Sequence, residues 1–158
     1  MKATILTVDT QVYHGEKEDV CTSVVARILE QVGFEVFMDK VIPKDFDVVK
    51  AVASRVVEEK LADLIITIGG EGCQVSDCVP EATKAIIDKD VPGMAEAMRA
   101  YMIRTSKQMM LARGVIGIRQ NTLIINLPSS PTTISEVFDY LMPEIVHLTE
   151  TLMGQHEE

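Results

Sequence analysis

Tryptophan is absent from this 158-residue chain, and four phenylalanines and three tyrosines leave it poor in aromatic rings. The core must therefore be aliphatic. Cysteine is also scarce: Cys21, Cys73 and Cys78 form no CxxC pair and leave an odd count, so reduced thiols are the simplest reading and no cluster supplies a zinc shell. A basic stripe is missing as well. Fifteen Lys and Arg against 24 Asp and Glu give a formal charge of −9, which argues against a nucleic-acid partner because binding a phosphate backbone needs a basic surface. Small anions are not excluded, since backbone N–H groups and a bound cation can hold phosphate on an acidic protein. Long apolar runs are lacking too. MKATILTVDT is too short before Asp9 for a secretion signal and no segment approaches a membrane span, so a cytoplasmic location without a membrane partner is expected.

What is present is the balance of an ordinary globule, 47% apolar and 25% charged residues, in a length that suits one domain. Residues 1–153 are read as that domain and 154–158 as a frayed tail. Ala3 to Val8 reads as a buried strand, followed by a polar connecting loop from Asp9 to Glu18. Val20, Val24, Val25, Ile28, Leu29 and Val32 then keep helical spacing up to the stop signal Gly33. Phe34 to Ile42 resembles a second strand closed by Pro43, and Val48 to Leu61 a second helix with Asp45 or Asp47 as its cap. Leu64 to Ile68 is apolar throughout, as in a parallel strand covered on both faces.

The alternation predicts an α/β fold, a three-layer α/β/α arrangement with a mostly parallel central sheet. Farther on, Val79 to Asp88 and Met94 to Ser106 read as helices. Gly114 to Ile118 and Thr122 to Asn126 read as a hairpin, and Thr133 to Met153 as a closing helix. Met94, Met98, Met102, Met109 and Met110 are read as filling core or subunit contacts, and Met98 and Met102 share one helix face, which would suit a subunit interface. The histidines His14, His147 and His156 are scattered and suggest no metal site.

Ligands of open α/β sheets sit beyond the C-terminal strand ends where strand order reverses. Two loops fit that position. In Gly69-Gly70-Glu71-Gly72, three glycines allow a tight turn and let the backbone approach an anion. Asn126-Leu127-Pro128-Ser129-Ser130-Pro131 leaves a strand and enters a helix. Neither is specific alone: Gly-Gly-x-Gly is also a common tight turn, and it is neither the dinucleotide fingerprint nor the GxxxxGK[ST] phosphate loop. Asp77 could hold Mg²⁺, or could simply cap the helix that begins near Pro80.

In order and spacing, Ile5-Leu6-Thr7-Val8-Asp9-Thr10, Ile42-Pro43, Asp63 to Gly72, Asp77, Pro80-Glu81-Ala82-Thr83, Pro92 to Arg99, Leu111 to Gly114 and Leu123 to Pro128 resemble the MogA/MoaB-type molybdopterin-binding domain, also found in gephyrin and MoeA. The resemblance covers nearly the whole chain. It implies a homotrimer in molybdenum-cofactor biosynthesis that binds molybdopterin and adenylates its phosphate with ATP and Mg²⁺. It also implies a ligand site at Asp9, at the backbone of Gly69, Gly70, Glu71 and Gly72, and at Pro128, Ser129 and Ser130, with Asp77 as the metal-linked catalytic carboxylate.

Several positions depart from the pattern. Glu71 stands where the family commonly has threonine, and two like charges about 4 Å apart at an effective dielectric near 20 repel by roughly 4 kcal/mol. Lys44 stands where an acidic catalytic residue follows the proline, which leaves its neighbour Asp45 to take that role. Ser76 replaces a basic residue, Ala112 a serine and Ser129 a glycine. Two readings follow: a molybdopterin adenylyltransferase using Mg²⁺ and ATP, or a non-catalytic pterin- or nucleotide-binding member of the same fold. A third has the fold acting on another phosphorylated ligand.

Overall fold

The computed structural model describes residues 1–154. Its six-stranded sheet has the order β2-β1-β3-β6-β5-β4. The strands are β1 (Lys2–Val8), β2 (Glu35–Ile42), β3 (Leu64–Ile68), β4 (Lys89–Asp90), β5 (Ile116–Arg119) and β6 (Thr122–Leu127). β2, β1, β3 and β6 run parallel, while β5 and β4 continue the sheet antiparallel. The apolar run of β3 places it centrally, with all five residues buried. Across the parallel strands Ile5 pairs with Ile66, and Ile66 with Ile125.

Successive strand residues point to opposite faces, so each strand feeds two cores. Ile5, Ile66 and Ile125 pack beneath α2 (Thr22–Gln31), α5 (Pro92–Ile103) and α6 (Pro131–Leu152). Leu6, Ile65 and Ile124 pack against α3 (Phe46–Glu58) and α4 (Val79–Ile86). This is the expected three-layer α/β/α fold.

Local chemistry explains where elements depart from the sequence reading. Asp9 accepts the Gln11 and Val12 amides and so caps a one-turn helix, α1 (Thr10–Tyr13), inside the expected loop. Asp19 accepts the Cys21 and Thr22 amides, which starts α2 after the aspartate instead of at it. The helix expected from Val79 to Asp88 stops at Ile86 because Asp88 and Val91 donate their amides to Ile118 and Ile116 of the hairpin, forming the short β4 between them. A 3-10 turn at Lys107–Leu111 also lacked a periodic signal.

Of the two places expected for Met98 and Met102, core or subunit contact, the structure shows the core: each is 1% exposed and packs beneath the sheet with Ile116 and Leu123. Their shared face is thus already covered within one chain, because α5 lies directly on the sheet. Among the described residues no helix is long and apolar enough to cross a membrane. Beyond Gly154, the expected tail lies outside the described residues.

Candidate functional site

Strand order creates the site. β1 is flanked by β2 and β3, so the chain leaves β1 towards one face of the sheet and leaves β3 towards the other. The diverging loops open a crevice at the carboxyl ends of the strands. It holds a cleft of about 550 Å³ lined from five segments: Val8 to Gln11 after β1, Lys17 before α2, Lys44 after β2, Gly69, Gly70, Gln74 and Ser76 after β3, and Ser129 after β6.

The two glycines shape its floor. Gly69 and Gly70 have φ of 86° and 68°, the left-handed region that glycine enters without steric cost. A Cβ on Gly69 would lie 2.9 Å from the Val8 carbonyl, and one on Gly70 would lie 2.6 Å from Cγ2 of Val79. Gly70→Ala is therefore expected to destabilise the protein by about 1–3 kcal/mol through backbone strain alone, measured as a lowered midpoint of urea unfolding. Native stability in that variant would contradict the strained-turn account.

Two lysines face the cleft, each with an aspartate partner. Lys17 Nζ lies 3.3 Å from Asp9 Oδ2, whose other oxygen caps α1. Burial alone would push the Asp9 carboxyl up, but bonds from the Val12 amide, Lys17 and the Gln11 amide together hold it below the usual range. Lys44 Nζ lies 3.0 Å from Asp77 Oδ1, and the Lys44 amide donates to Thr10 Oγ1 at 2.9 Å.

Asp77 corrects one expectation. Its side chain is 6% exposed, and Oδ2 accepts the Gln74 amide at 2.9 Å. Cys78, not Asp77, occupies the cap position of α4, and no side chain bonds there. The carboxylate turns back to Lys44 because the end of β2 lies across from it, a contact 33 positions apart in the chain. Asp45 caps α3 by accepting the Asp47 and Val48 amides, and it is exposed and outside the cleft lining.

Whether these residues suit the expected Mg²⁺ follows from the donor set. Magnesium takes near-octahedral oxygen ligands at about 2.0–2.1 Å. Both Asp77 oxygens are engaged, one by an ammonium and one by an amide. Among the described residues no three His, Cys, Asp or Glu side chains gather as a metal cluster. Asp77 as held here does not fit a resident magnesium ion.

Glu71 lies outside the cleft lining, with Oε2 buried and unpartnered. Burial, reinforced by the Asp77 charge, pushes its carboxyl above the ordinary value of 4.5 against the pull of Arg113, Lys44 and Arg99. The folded state thus binds this proton more tightly than the unfolded chain, and stability falls as pH rises from 4.5 through the raised value. Glu71→Gln is expected to remove that slope and to raise stability at neutral pH. Urea titrations of both proteins at acidic and neutral pH test this; parallel pH profiles would refute it.

Arg113, named in the sequence only as part of a motif, holds the loop. Its amide donates to the Glu71 carbonyl, Nε donates to the Gly72 carbonyl at 2.7 Å, and its fork meets Glu81 at 2.7 and 3.1 Å. Pro128 is buried behind the cleft and Ser130 caps α6, so of the second expected loop only Ser129 lines it. Sequence reasoning missed Lys17, Gln74 and Gln11, ordinary polar residues without a motif, and quoted Thr10 as part of a motif without reading it as a cleft residue.

Comparison with known proteins identifies relatives of the whole fold. Residues 4–147 match the family model described as a probable molybdopterin binding domain. A molybdopterin adenylyltransferase of Helicobacter pylori strain J99 is 28% identical over 154 residues, covering 96% of this chain and 88% of its own. The molybdopterin biosynthesis enzyme MoaB of Thermus thermophilus superposes with a TM-score of 0.88 at 35% identity, covering 97% of this chain and 96% of its own. The molybdopterin biosynthesis Mog protein of Mycobacterium ulcerans gives 0.90 at 34% identity, covering 98% and 97%. With the family model matched over residues 4–147 and the superpositions spanning nearly the whole chain, the chain belongs to the MogA/MoaB-type molybdopterin-binding family.

Proposed function

We propose that this chain serves molybdenum-cofactor biosynthesis by holding molybdopterin, with the pterin's phosphate in the cleft at the ends of β1 and β3. One observation carries the reading. An acidic protein directs two lysines, Lys17 and Lys44, against one lining carboxylate, Asp9, and a double-glycine backbone into one cleft of about 550 Å³, so the lining carries a net positive charge. Cleft walls of low dielectric focus that positive charge on an entering anion. The ring system would extend over the wall formed by Gln11, Gln74, Ser76 and Ser129, whose polar groups suit a hydrogen-bonding heterocycle.

A second reading is adenylyl transfer from ATP to the bound phosphate. It is favoured by the near-full-length similarity to the Helicobacter pylori adenylyltransferase. Against it stands the engagement of both Asp77 oxygens, which leaves the expected metal-linked carboxylate already occupied. A homotrimer, one domain per chain and a cytoplasmic location belong to the same proposal.

Incubating the purified protein with molybdopterin, ATP and Mg²⁺ separates the readings. The holding function predicts saturable molybdopterin binding with pyrophosphate release at background. Release above background would establish the transferase, and absence of molybdopterin binding would dismiss both. Sedimentation equilibrium tests the trimer.

A further inference from the structure

We infer that Lys44 stands in for a divalent cation in this cleft, so that a phosphomonoester dianion binds there without metal. The inference rests on the reading of the cleft as a phosphate site. Its basis is the way Lys44 is held. The backbone is pinned by the bond from its amide to Thr10 Oγ1, and the ammonium is oriented by Asp77 Oδ1 at 3.0 Å. Asp77 is 6% exposed and does not line the cleft, whereas Lys44 is 22% exposed and does. The ion pair is therefore a dipole buried at its negative end, with its positive end on the cleft wall.

An ammonium carries three N–H donors, and the ion pair with Asp77 Oδ1 at 3.0 Å occupies one side of it. The geometry leaves donors for an anion at a point where the Gly69-Gly70 backbone allows close approach. A divalent cation placed beside Asp77 would have to displace this ammonium from the carboxylate, or else sit next to a like charge in a partly desolvated wall. Metal and lysine thus compete for one position, and the lysine is covalently present. Exchanging Lys44 for an acidic residue would reverse the arrangement: two carboxylates facing each other would require a cation between them before any phosphate could enter.

The test uses inorganic phosphate and adenosine monophosphate as probes, titrated calorimetrically into the intact protein in EDTA and again in Mg²⁺. Binding is localised by amide shifts of Gly69 and Gly70. The expected result is affinity equal within about two-fold in the two buffers, since a charge already in place gains nothing from added metal. In a Lys44→Met, Asp77→Asn double variant, which removes the lysine without leaving its carboxylate charged and buried, affinity should fall about ten-fold. Lys44→Asp should bind only when Mg²⁺ is present.

Phosphate binding by the natural protein that EDTA abolishes would overturn the inference while leaving the cleft a phosphate site. No binding in either buffer would overturn the phosphate reading and the inference with it. Unchanged affinity in the folded double variant would remove Lys44 from the site. The comparison of buffers needs no variant and stands even if a substitution prevents folding.

Discussion

Asn126→Ala is expected to lower the unfolding free energy by about 3–5 kcal/mol, read as a large drop in the urea midpoint. The side chain is fully buried in β6 and makes three bonds to three different segments. Oδ1 accepts the Val115 amide at 3.0 Å just before β5, and Nδ2 donates to Thr67 Oγ1 of β3 at 2.9 Å and to Thr83 Oγ1 of α4 at 3.1 Å. Alanine would leave an amide and two hydroxyls without these partners as well as a cavity. Each buried group stranded in that way costs about 1–3 kcal/mol. Asn126→Asp provides a control of different chemistry, because it keeps the volume and the acceptor but loses the donor. It should be nearly as damaging at neutral pH and less so in acid, where the carboxyl can protonate and donate. A variant as stable as the natural protein would mean that this network is not a joint between the sheet and α4.

The second large effect concerns Arg113. Its ion pair with Glu81 is not where its value lies: the side chains are 37% and 46% exposed, and exposed pairs contribute about 0–1 kcal/mol. Glu81→Gln should accordingly change stability by less than about 1 kcal/mol. The bond from Nε to the Gly72 carbonyl differs, since a charged donor to a carbonyl contributes about 1.5–3 kcal/mol and fixes the turn that delivers Asp77 to Lys44. Arg113→Ala is thus expected to cost about 2–3 kcal/mol and to weaken phosphate binding on the order of 10- to 100-fold through loss of positioning. Lysine cannot reproduce the planar fork, so Arg113→Lys should recover little of either. Calorimetric titration with phosphate and urea unfolding measure the two quantities. If Glu81→Gln proved as harmful as Arg113→Ala, the ion pair and not the loop bond would be the relevant contact.

Much of this architecture was legible in the residue pattern because it depends on local signals. An unbroken apolar run marked β3, turn residues between two β-branched runs marked the hairpin, and the cap of α3 was narrowed to Asp45 or Asp47, of which Asp45 serves. The glycines after β3 were legible for the same reason: a double glycine at a strand end reports a backbone need, and Gly69 and Gly70 both have positive φ. What escaped were contacts made by distant segments. Asp77 sits three residues before Pro80 and looks like a cap, yet its partner is Lys44 on another strand end. β4 consists of two charged residues whose strand character derives from the hairpin beside them. Met98 and Met102 showed a shared face, but periodicity does not say whether a sheet or a second subunit covers it. Lys17 reaches the cleft because Asp9 holds it there, and the chain pattern carries no mark of that.

The sheet order also governs how the molecule comes into being. Thr7 lies in register with Ile68, and Ile68 with Leu127, so the pairings of β1 with β3 and of β3 with β6 each join positions about sixty residues apart. Closing loops of that length spends chain entropy before any contact compensates it, and sheets dominated by such pairings fold on the millisecond-to-second scale. Val8, Gly69 and Ser129, from the two central crossings, can meet only when β1, β3 and β6 are all aligned. During synthesis the cleft cannot form until β6 has emerged, and an anion that binds it will slow unfolding more than it speeds folding.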